Sequence, residues 1–413
     1  MRHIIRNVSV FDGSGRAPTP GIVVTALDRI EQVLPADASI TPAAGDVVID
    51  GHGGTLMPGL VEAHAHLTWP SSVERMYHEF VLPPAEMKVA TWRNARELLD
   101  AGFTSVYSAG ALGETIEVEL RTEIESGRAP GPRLKASTIE RSPEGAEGVD
   151  TGGVEHGRGP AAMRAFIAHC KQIGVDSVKL LISGEDALLP GSSQHILYSE
   201  EELAAADAAA REAGLWLAAH TQASQAVKLA LRHGVRTLYH CSYADSEALD
   251  MLEAKKNEIF VAPAIGIIVA TLEATPPPHI DMSAMKESAR PVIELASRLI
   301  PELKRRGVRV LPGGDYGFPF NPNGRNARDL EHFVNLFGYS PSEALVAATR
   351  LGGELMGMGD ELGQIRPGYL ADMLLLDADP TRDVRILQNP RRIVMIMKGG
   401  QLHKMPDQAG AAA

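Results

Sequence analysis

Short apolar runs rich in β-branched residues stand at both ends of the chain, between Gly, Pro and Asp residues. Runs of this kind between turn residues are typical of β-strands. We expect the two ends to join in one small β-sandwich domain, formed by residues 1–57 and 359–413. The runs are His3–Val10, Ile22–Ala26, Ile30–Val33, Val47–Asp50, Asp372–Leu376 and Arg392–Met397.

Between the two ends, residues 58–358 alternate short apolar runs with Ala-, Leu- and Glu-rich stretches of helical spacing, such as Pro84–Ala101, Glu200–Ala213 and Pro341–Met356. Eight strand-plus-helix units in about 300 residues predict an α/β fold, a (β/α)8 TIM-type barrel. An open doubly wound sheet is less favoured, since no Gly-rich phosphate-binding motif follows an early strand. The eight runs are Gly59–Ala63, Phe103–Tyr107, Arg133–Ala136, Ser177–Leu181, Leu215–Ala219, Thr237–Tyr239, Ile259–Ala262 and Val308–Leu311.

Composition and charge argue against some classes of binding partner and indicate where the protein is found. The 413 residues include 52 acidic and 40 basic side chains, for a net charge of -12, and no Lys/Arg-rich run appears, which argues against nucleic acid as a partner. The first residues lack the pattern of a signal peptide, and no apolar stretch is long enough to span a bilayer, so we expect a cytoplasmic protein with no membrane partner. Cys170 and Cys241 are too few for a disulfide framework and are interpreted as buried thiols.

Polar residues follow several of the predicted strands at the point where the apolar run ends. In a barrel of this type the chemistry lies at the C-terminal ends of the strands. Strand one runs into His64 and His66, whose alternate positions in an extended segment point both imidazoles to one face. His220 ends strand five, His240 ends strand six, and Asp315 follows strand eight after two glycines that let the backbone approach the barrel mouth. Together they predict a metal site at this rim.

Lys179 lies inside the fourth strand, flanked by apolar residues on both sides. A buried ammonium is costly, and desolvation with nearby cations favours a neutral amine that can add carbon dioxide. The resulting carbamate is an anion able to bridge two metals. The structural alternative is a lysine whose stem is buried while its amine reaches the rim or pairs with an acid such as Asp176. Beside the four histidines and Asp315, we favour the carbamate.

This constellation resembles the amidohydrolase superfamily, and the resemblance extends along nearly the whole chain. It is greatest to the branch of imidazolonepropionase-like and prolidase-like hydrolases with a carbamylated lysine. Further segments similar to family signatures occur in one order along the chain: Phe11–Gly13, Met57–His66, Ala101–Val106, Tyr198–Leu203, Ala218–His220, Ser340–Leu345, Ala347–Thr349, Leu362–Ile365, Pro367–Asp372 and Asp379–Pro380.

The resemblance implies a binuclear metal centre and a hydrolase of C–N bonds in amides, carbamates or dipeptide-like compounds. The metals would be two divalent ions, zinc in most family members and manganese or cobalt in others. Asp315 is then also the catalytic residue, which accepts a proton and passes it to the leaving amine. A homo-oligomer is the family's usual state. The ligands carried over are His64, His66 and Asp315 for the buried ion, His220 and His240 for the more exposed ion, and modified Lys179 as the bridge.

The expected substrate is a small molecule that is apolar or bears an aryl group. Aromatic residues are few in this chain, yet several fall near the predicted mouth, where packing of a lid is the alternative explanation. A Gly-rich loop after strand three adds a histidine and an arginine that could lie over the substrate, and two tyrosines near strand ends could donate to an oxyanion. The candidate substrate-binding residues are Trp69, Tyr107, His156, Arg158, Tyr243, Tyr316 and Phe318.

Three other functions remain open at this point. A mononuclear deaminase of the same superfamily would use His64, His66, His220 and Asp315 around one metal, although Lys179 argues against it. A non-catalytic scaffold that has lost its metals is disfavoured, because all six candidate ligands are present. A permissive hydrolase of foreign aryl amides, carbamates or ureas would share the same centre.

Overall fold

The computed structural model describes residues 1–72, 81–142, 157–185 and 191–405. The strands in this part of the chain are β1 (Arg2–Val10), β2 (Thr19–Ala26), β3 (Arg29–Pro35), β4 (Val47–Asp50), β5 (Thr55–Pro58), β6 (Leu60–Ala65), β7 (Phe103–Ser108), β8 (Arg133–Lys135), β9 (Ser177–Leu181), β10 (Trp216–Ala223), β11 (Val235–Tyr243), β12 (Phe260–Ala262), β13 (Met373–Leu376), β14 (Ile393–Lys398) and β15 (Gln401–Lys404). The α-helices are α1 (Pro84–Asp100), α2 (Ile116–Glu125), α3 (Pro160–Ile173), α4 (Glu200–Ala213), α5 (Ser224–Arg232), α6 (Ser246–Ala254), α7 (Ile265–Glu273), α8 (Ser283–Arg305), α9 (Arg328–Phe337), α10 (Pro341–Ala348) and α11 (Arg350–Leu355).

Strands from both ends of the chain form one mixed sheet of eight strands. Its order is β15-β14-β13-β5-β1-β2-β3, with β4 beside β1. Strand β5 joins the two ends, because it pairs in parallel with β1 and antiparallel with β13. Buried Val23, Leu56, Met373 and Met395 belong to one apolar cluster of this sheet. Both ends thus build one β unit, while its description as a sandwich and the limits at residues 57 and 358 stay predictions.

The intervening part contains two parallel sheets, β6-β7-β8 and β12-β11-β10-β9. Seven of the eight predicted strands are found in them. The predicted eighth strand, Val308–Leu311, is not a full strand, because it contributes one parallel bridge. These sheets establish an α/β fold without showing a closed ring, so the barrel remains a prediction. The isolated parallel bridges of this region join Val310 to Val261, Arg141 to Leu180, Ala65 to Tyr316 and Ala111 to Ile139.

Local signals place the helices close to their predicted limits. Helix α4 begins after Ser199, whose hydroxyl accepts from the Glu202 amide while the Glu202 side chain accepts from the Ser199 amide, a capping box. The predicted helix Pro341–Met356 is wrong as one element, because the chain leaves the helical conformation at Thr349 and divides into α10 and α11. The Thr349 hydroxyl donates to the carbonyl of Leu345 at the break. Among the described helices, none has the length and apolar character needed to cross a membrane.

Candidate metal and catalytic site

The six predicted ligands lie at one end of the parallel sheets. His64 lies near the end of β6, Lys179 in β9, His220 in β10 and His240 in β11. In the register of these strands Lys179 pairs with Ala218, two residues before His220. Asp315 lies in the loop just before Tyr316, which bridges β6. Neighbouring strands therefore carry the candidate ligands to the same rim.

Asp315 lies against both histidines of the first strand. Its Oδ1 atom is 3.0 Å from Nε2 of His66 and 3.5 Å from Nε2 of His64. Neither contact has the alignment of a hydrogen bond, and Asp315 Oδ1 and His64 Nδ1 are buried with no hydrogen-bond partner. The ligand atoms of His64, His240 and Asp315 lie within 4.8 Å of one another. Buried lone pairs that converge without bonding to each other fit a divalent cation.

Hydrogen bonds to backbone carbonyls hold two of the candidate imidazoles. Nδ1 of His66 donates to the carbonyl of Gly110 at 3.1 Å, which leaves the lone pair of Nε2 facing Asp315. Nε2 of His220 donates to the carbonyl of Gly184 at 3.1 Å. Such backbone contacts fix the tautomer and the ring orientation of metal-binding histidines.

The electrostatics of the site keep His64, His220 and His240 neutral. Burial, followed by the nearby charge of Lys179, lowers the pKa of His64 far below its usual value and that of His220 to about 3. Burial and the neighbouring His220 lower the pKa of His240 in the same way. A neutral imidazole is the form that binds a metal, so no proton has to be displaced from these rings at neutral pH.

Lys179 is almost fully buried, and its amino nitrogen points to the site. The Nζ atom donates to the carbonyl of Ala109 at 3.0 Å and lies 3.6 Å from Oε2 of Glu140. The structural alternative named Asp176 as a possible acidic partner, but Asp176 pairs with Arg121 and lies 3.6 Å from Lys135, and the acid beside Lys179 is Glu140. Lys179 is therefore placed among the candidate ligands.

The loop that carries Asp315 is tightly constrained. A side chain at Gly313 would place its Cβ 2.9 Å from Cβ of His64, and at Gly314 it would lie 2.4 Å from the carboxylate of Asp329. Asp329 accepts from the Gly313 amide at 3.1 Å and from the Tyr316 hydroxyl at 3.2 Å. Asp315 itself has a φ of 60°, which is uncommon outside glycine. The glycines thus permit the close approach that the sequence suggested.

Three buried asparagines stabilise this loop, two of them by bonds to the segment of the first strand. Asn321 Nδ2 donates to the carbonyls of Gly314 and Asp315 at 2.8 and 2.9 Å. Asn323 Nδ2 donates to the carbonyl of His66 at 3.2 Å, and Asn326 Nδ2 to the carboxylate of Glu62 at 2.7 Å. Each amide joins the loop to a segment that carries a candidate ligand. Sequence reasoning missed these residues, because asparagine in a loop is an ordinary turn residue.

Two carboxylates near the site were also missed. Glu140 lies beyond β8, with Oε1 3.4 Å from Nδ1 of His66 and Oε2 near Lys179. Glu185 lies in the loop after β9, with Oε2 3.5 Å from Nε2 of His220. Both stand several residues beyond a strand, where no hydrophobic pattern marks them.

The comparisons with known proteins agree with this geometry. The sequence profile of the amidohydrolase family matches residues 55–403. The chain belongs to the amidohydrolase family. Since the match includes all the strands of both parallel sheets, the family assignment rests on the part of the chain that carries the site.

Individual relatives of the amidohydrolase differ in their named substrates. Ochratoxinase of Aspergillus niger is 26% identical over 381 residues, which cover 85% of this chain and 76% of that protein. Imidazolonepropionase of Rubrobacter xylanophilus is 24% identical over 423 residues, or 93% and 91% of the two chains. The structure of a candidate prolidase from Bifidobacterium longum superposes with a TM-score of 0.83 at 27% identity, covering 98% and 96%. The protein is thus an amidohydrolase-family hydrolase acting on C–N bonds.

Several predicted substrate-binding residues of the amidohydrolase pack around the candidate ligands. Trp69 stacks on His66 with ring centroids 3.7 Å apart and meets Phe318 edge-on at 4.3 Å. Tyr316 is fully buried and donates to Asp329. Trp69 and Phe318 therefore lie at the site, while Tyr316 supports the loop beneath it.

The other predicted contacts are more dispersed. Tyr107 is fully buried, and its ring stacks on Trp216 with centroids 6.2 Å apart. Tyr243 ends β11 and is half-buried, and Arg158 is exposed. His156 lies outside the described residues. A role in substrate binding stays a prediction for each of these four residues.

A cleft opens beside the candidate ligands of the amidohydrolase. His240 and Asp315 form one side with Glu185 and Gln222, and the opposite side is mostly apolar. The apolar side comes from α7, α8 and the loop after Asp315, namely Ile267, Ile268, Thr271, Met285, Ser288, Ala289, Val292 and Phe318. A ligand in this cleft would contact both the polar centre and an aliphatic and aromatic wall.

Proposed function

We propose that this amidohydrolase is a binuclear metal-dependent hydrolase that cleaves a C–N bond of a small apolar or aryl-bearing substrate. Its scaffold would be the (β/α)8 barrel, with the eighth position supplied by the segment that leads to Asp315. One observation carries the proposal. The unpartnered Oδ1 of Asp315 lies beside Nε2 of His64 and of His66, and all three side chains are buried.

The donor set of the described residues suits two divalent cations. His64, His66 and Asp315 would hold the buried ion, and His220 and His240 the more exposed one. Lys179, as a carbamate formed with carbon dioxide, would contact both. When bound, a pair of ions such as zinc, manganese or cobalt makes hydroxide available near neutral pH and polarises a carbonyl group. Imidazole and carboxylate donors are compatible with all three metals.

Side chains of the protein carry out the proton transfer and hold the reacting groups in position. Asp315 takes up a proton from the attacking water and delivers it to the nitrogen of the leaving amine. The Asn321 amide keeps the Asp315 backbone in place through that transfer. His66 is held by Gly110 on one side and by the Trp69 ring on its face, so its orientation is fixed before substrate arrives.

The apolar wall supports an aryl or aliphatic group on the substrate. Ile268 and Met285 form part of this wall, and Phe318 extends it toward Trp69. The relatives named ochratoxinase and prolidase act on amide or dipeptide-like bonds, which supports an amide, carbamate or similar C–N bond here. The substitution Ile268→Ser should lower kcat/KM for an aryl amide about tenfold, because the aryl group loses one apolar contact. The kcat/KM for the same amide with an acetyl group in place of the aryl group should stay nearly unchanged.

Metal analysis combined with a substrate screen tests the proposal. Protein prepared with bicarbonate should contain about two ions per chain and should hydrolyse members of a panel of aryl amides, N-acyl amino acids, Xaa-Pro dipeptides, carbamates and ureas. A single ion with release of ammonia from a heterocycle would favour the mononuclear deaminase instead. Active protein without any metal would refute a metal-dependent reaction altogether.

A further inference from the structure

The carboxylate of Glu185 lies within reach of the two histidines assigned to the more exposed ion. Its ligand atom and those of His220 and His240 lie within 4.8 Å of one another. Glu185 also lines the cleft beside His240 and Asp315. We propose that Glu185 is a protein ligand of the more exposed metal ion, in addition to His220 and His240. This inference rests on the proposed binuclear function.

One hydrogen bond to the Glu185 side chain and one to the preceding residue hold the carboxylate in this position. Gln222, two residues after His220 on β10, donates its side-chain amide to Oε2 of Glu185 at 3.0 Å. The preceding residue, Gly184, accepts from Nε2 of His220 through its carbonyl. The loop after β9 is therefore tied to β10 on both sides of the peptide that carries the carboxylate. Such support orients a ligand before the ion binds.

A comparison of the ligand charges at the two metal positions supports a ligand role for Glu185. The buried position has two imidazoles and the Asp315 carboxylate. The more exposed position, apart from the shared Lys179 bridge, has only two imidazoles unless Glu185 also binds. Glu185 gives each position two imidazoles and one carboxylate. A divalent ion is bound more tightly when a charged oxygen replaces water in its coordination shell, and the low dielectric of the buried rim strengthens this effect.

The competing role for Glu185 is that of an acceptor that merely orients His220, since Nε2 of His220 lies 3.5 Å from its carboxylate. The substitution Glu185→Gln separates the two roles. A glutamine retains the acceptor oxygen and nearly the same shape but loses the negative charge. An orienting role would survive the change, whereas a ligand role would not.

The experiment compares metal uptake by the full-length chain. Metal-free wild type, Glu185→Gln and Glu273→Gln are titrated with Zn²⁺ and with Co²⁺ in bicarbonate buffer against a competing chelator, and bound metal is measured. Glu273 is the control, because its carboxylate pairs with Arg328 outside the cluster. We expect Glu185→Gln to bind one ion as the wild type does and the other at least about tenfold more weakly, while Glu273→Gln matches the wild type.

Two further measurements keep the result decisive. The rise in melting temperature on metal addition should shrink in Glu185→Gln while the metal-free melting temperatures agree, because an ion that binds the folded protein more weakly stabilises it less. If the Gln variant does not fold, Gln222→Leu replaces it and should weaken the same ion. If Glu185→Gln binds each of the two ions as tightly as the wild type does, the assignment of Glu185 as a ligand is wrong, while the proposed function is unaffected. Wild type that takes up no metal overturns the proposed function, and with it this inference.

Discussion

The amino nitrogen of Lys179 lies 4.5 Å from the centre of the Tyr239 ring. Tyr239 immediately precedes His240 on β11, and its ring also lies on that of His64, with centroids 3.9 Å apart. One aromatic side chain thus contacts both the lysine and a histidine of the first strand. The ring is fully buried, so its close packing against both candidate ligands restricts their movement relative to each other.

Replacing Lys179 should therefore remove more than an isolated charge. In Lys179→Ala we expect loss of two-metal occupancy and a fall in kcat of several orders of magnitude, because the proposed carbamate is the anion shared by both ions. Added acetate should restore part of the activity, since a small carboxylate fits where the side chain was. Lys135→Ala is the matched control, because Lys135 also lies over an aromatic ring, that of Trp216, away from the site. Full activity and two metals in Lys179→Ala would exclude the bridging role.

A substitution at Asp315 should distinguish its role in metal binding from its role in proton transfer. The variant Asp315→Asn keeps the shape of the side chain but cannot carry the proton, so we expect kcat to fall by several orders of magnitude even after metal is restored. His220→Ala should cause a comparable loss through weaker metal binding. His169→Ala on the surface should retain wild-type turnover. Steady-state kinetics with metal content measured on the same samples provide the check, and near wild-type turnover of metal-replete Asp315→Asn would contradict the role.

Asn321 is expected to act as a positioning residue. Its amide bonds to the Gly314 and Asp315 carbonyls, so Asn321→Ala should free the loop and lower metal affinity about 10-fold to 100-fold, as is usual for groups that orient ligands. Chelator competition measures the change. Asn335→Ala serves as the control, because Asn335 is exposed on α9. Unchanged affinity in Asn321→Ala would mean that the loop holds Asp315 without this bond.

Glu117 should make the stability of the protein depend on pH. Burial raises the pKa of Glu117 from 4.5 to about 8, aided by Glu140 and opposed by hydrogen bonds from Ser108 and Ser137 and by Arg121. Between pH 4.5 and 8 the folded protein holds a proton that the unfolded chain releases. Stability therefore falls as pH rises through this window, by up to roughly a tenfold change in the folding equilibrium constant per pH unit.

The variant Glu117→Gln should remove this contribution. We expect its free energy of unfolding, measured with denaturant on metal-free protein from pH 5 to 9, to fall less steeply with pH than that of the wild type. Glu125→Gln, at an exposed position of the same helix, should keep the wild-type slope. Identical slopes for wild type and Glu117→Gln would show that the carboxyl is ionised in the folded state across this range.

The sequence was informative wherever a polar residue ended an apolar run. His220 and His240 were found in this way, because a strand end is a local feature and its position relative to the rim follows from the fold. Glu140 and Glu185 escaped, since each belongs to an irregular loop whose path depends on contacts with other strands. The asparagines at 321, 323 and 326 escaped for the same reason. Their partners lie far away in sequence, and hydrogen bonds of that kind leave no periodic pattern.

The secondary structure shows the same contrast between features set by the local sequence and features set by contacts between distant segments. The limits of α4 followed from Ser199 and Gly214, which mark a helix start and a helix end within the local sequence. The break at Thr349 had no comparable signal, because the residues directly beside it, Ala348 and Arg350, favour a helix. The segment Val308–Leu311 has the composition of a strand, yet its pairing partners were decided by the packing of the whole sheet rather than by its own residues.

The pairing of β5 with β13 has a consequence for synthesis of the chain. Strand β5 leads directly into β6 and thus into His64, while its neighbour β13 is translated only near the end. During translation, the edge of β5 that pairs with β13 has no partner until β13 has been made. A product that stops before Met373 would keep this unpaired strand edge and would be prone to aggregation. Assembly of the candidate metal site is thereby coupled to completion of the polypeptide, so that shortened products should be insoluble rather than partly active.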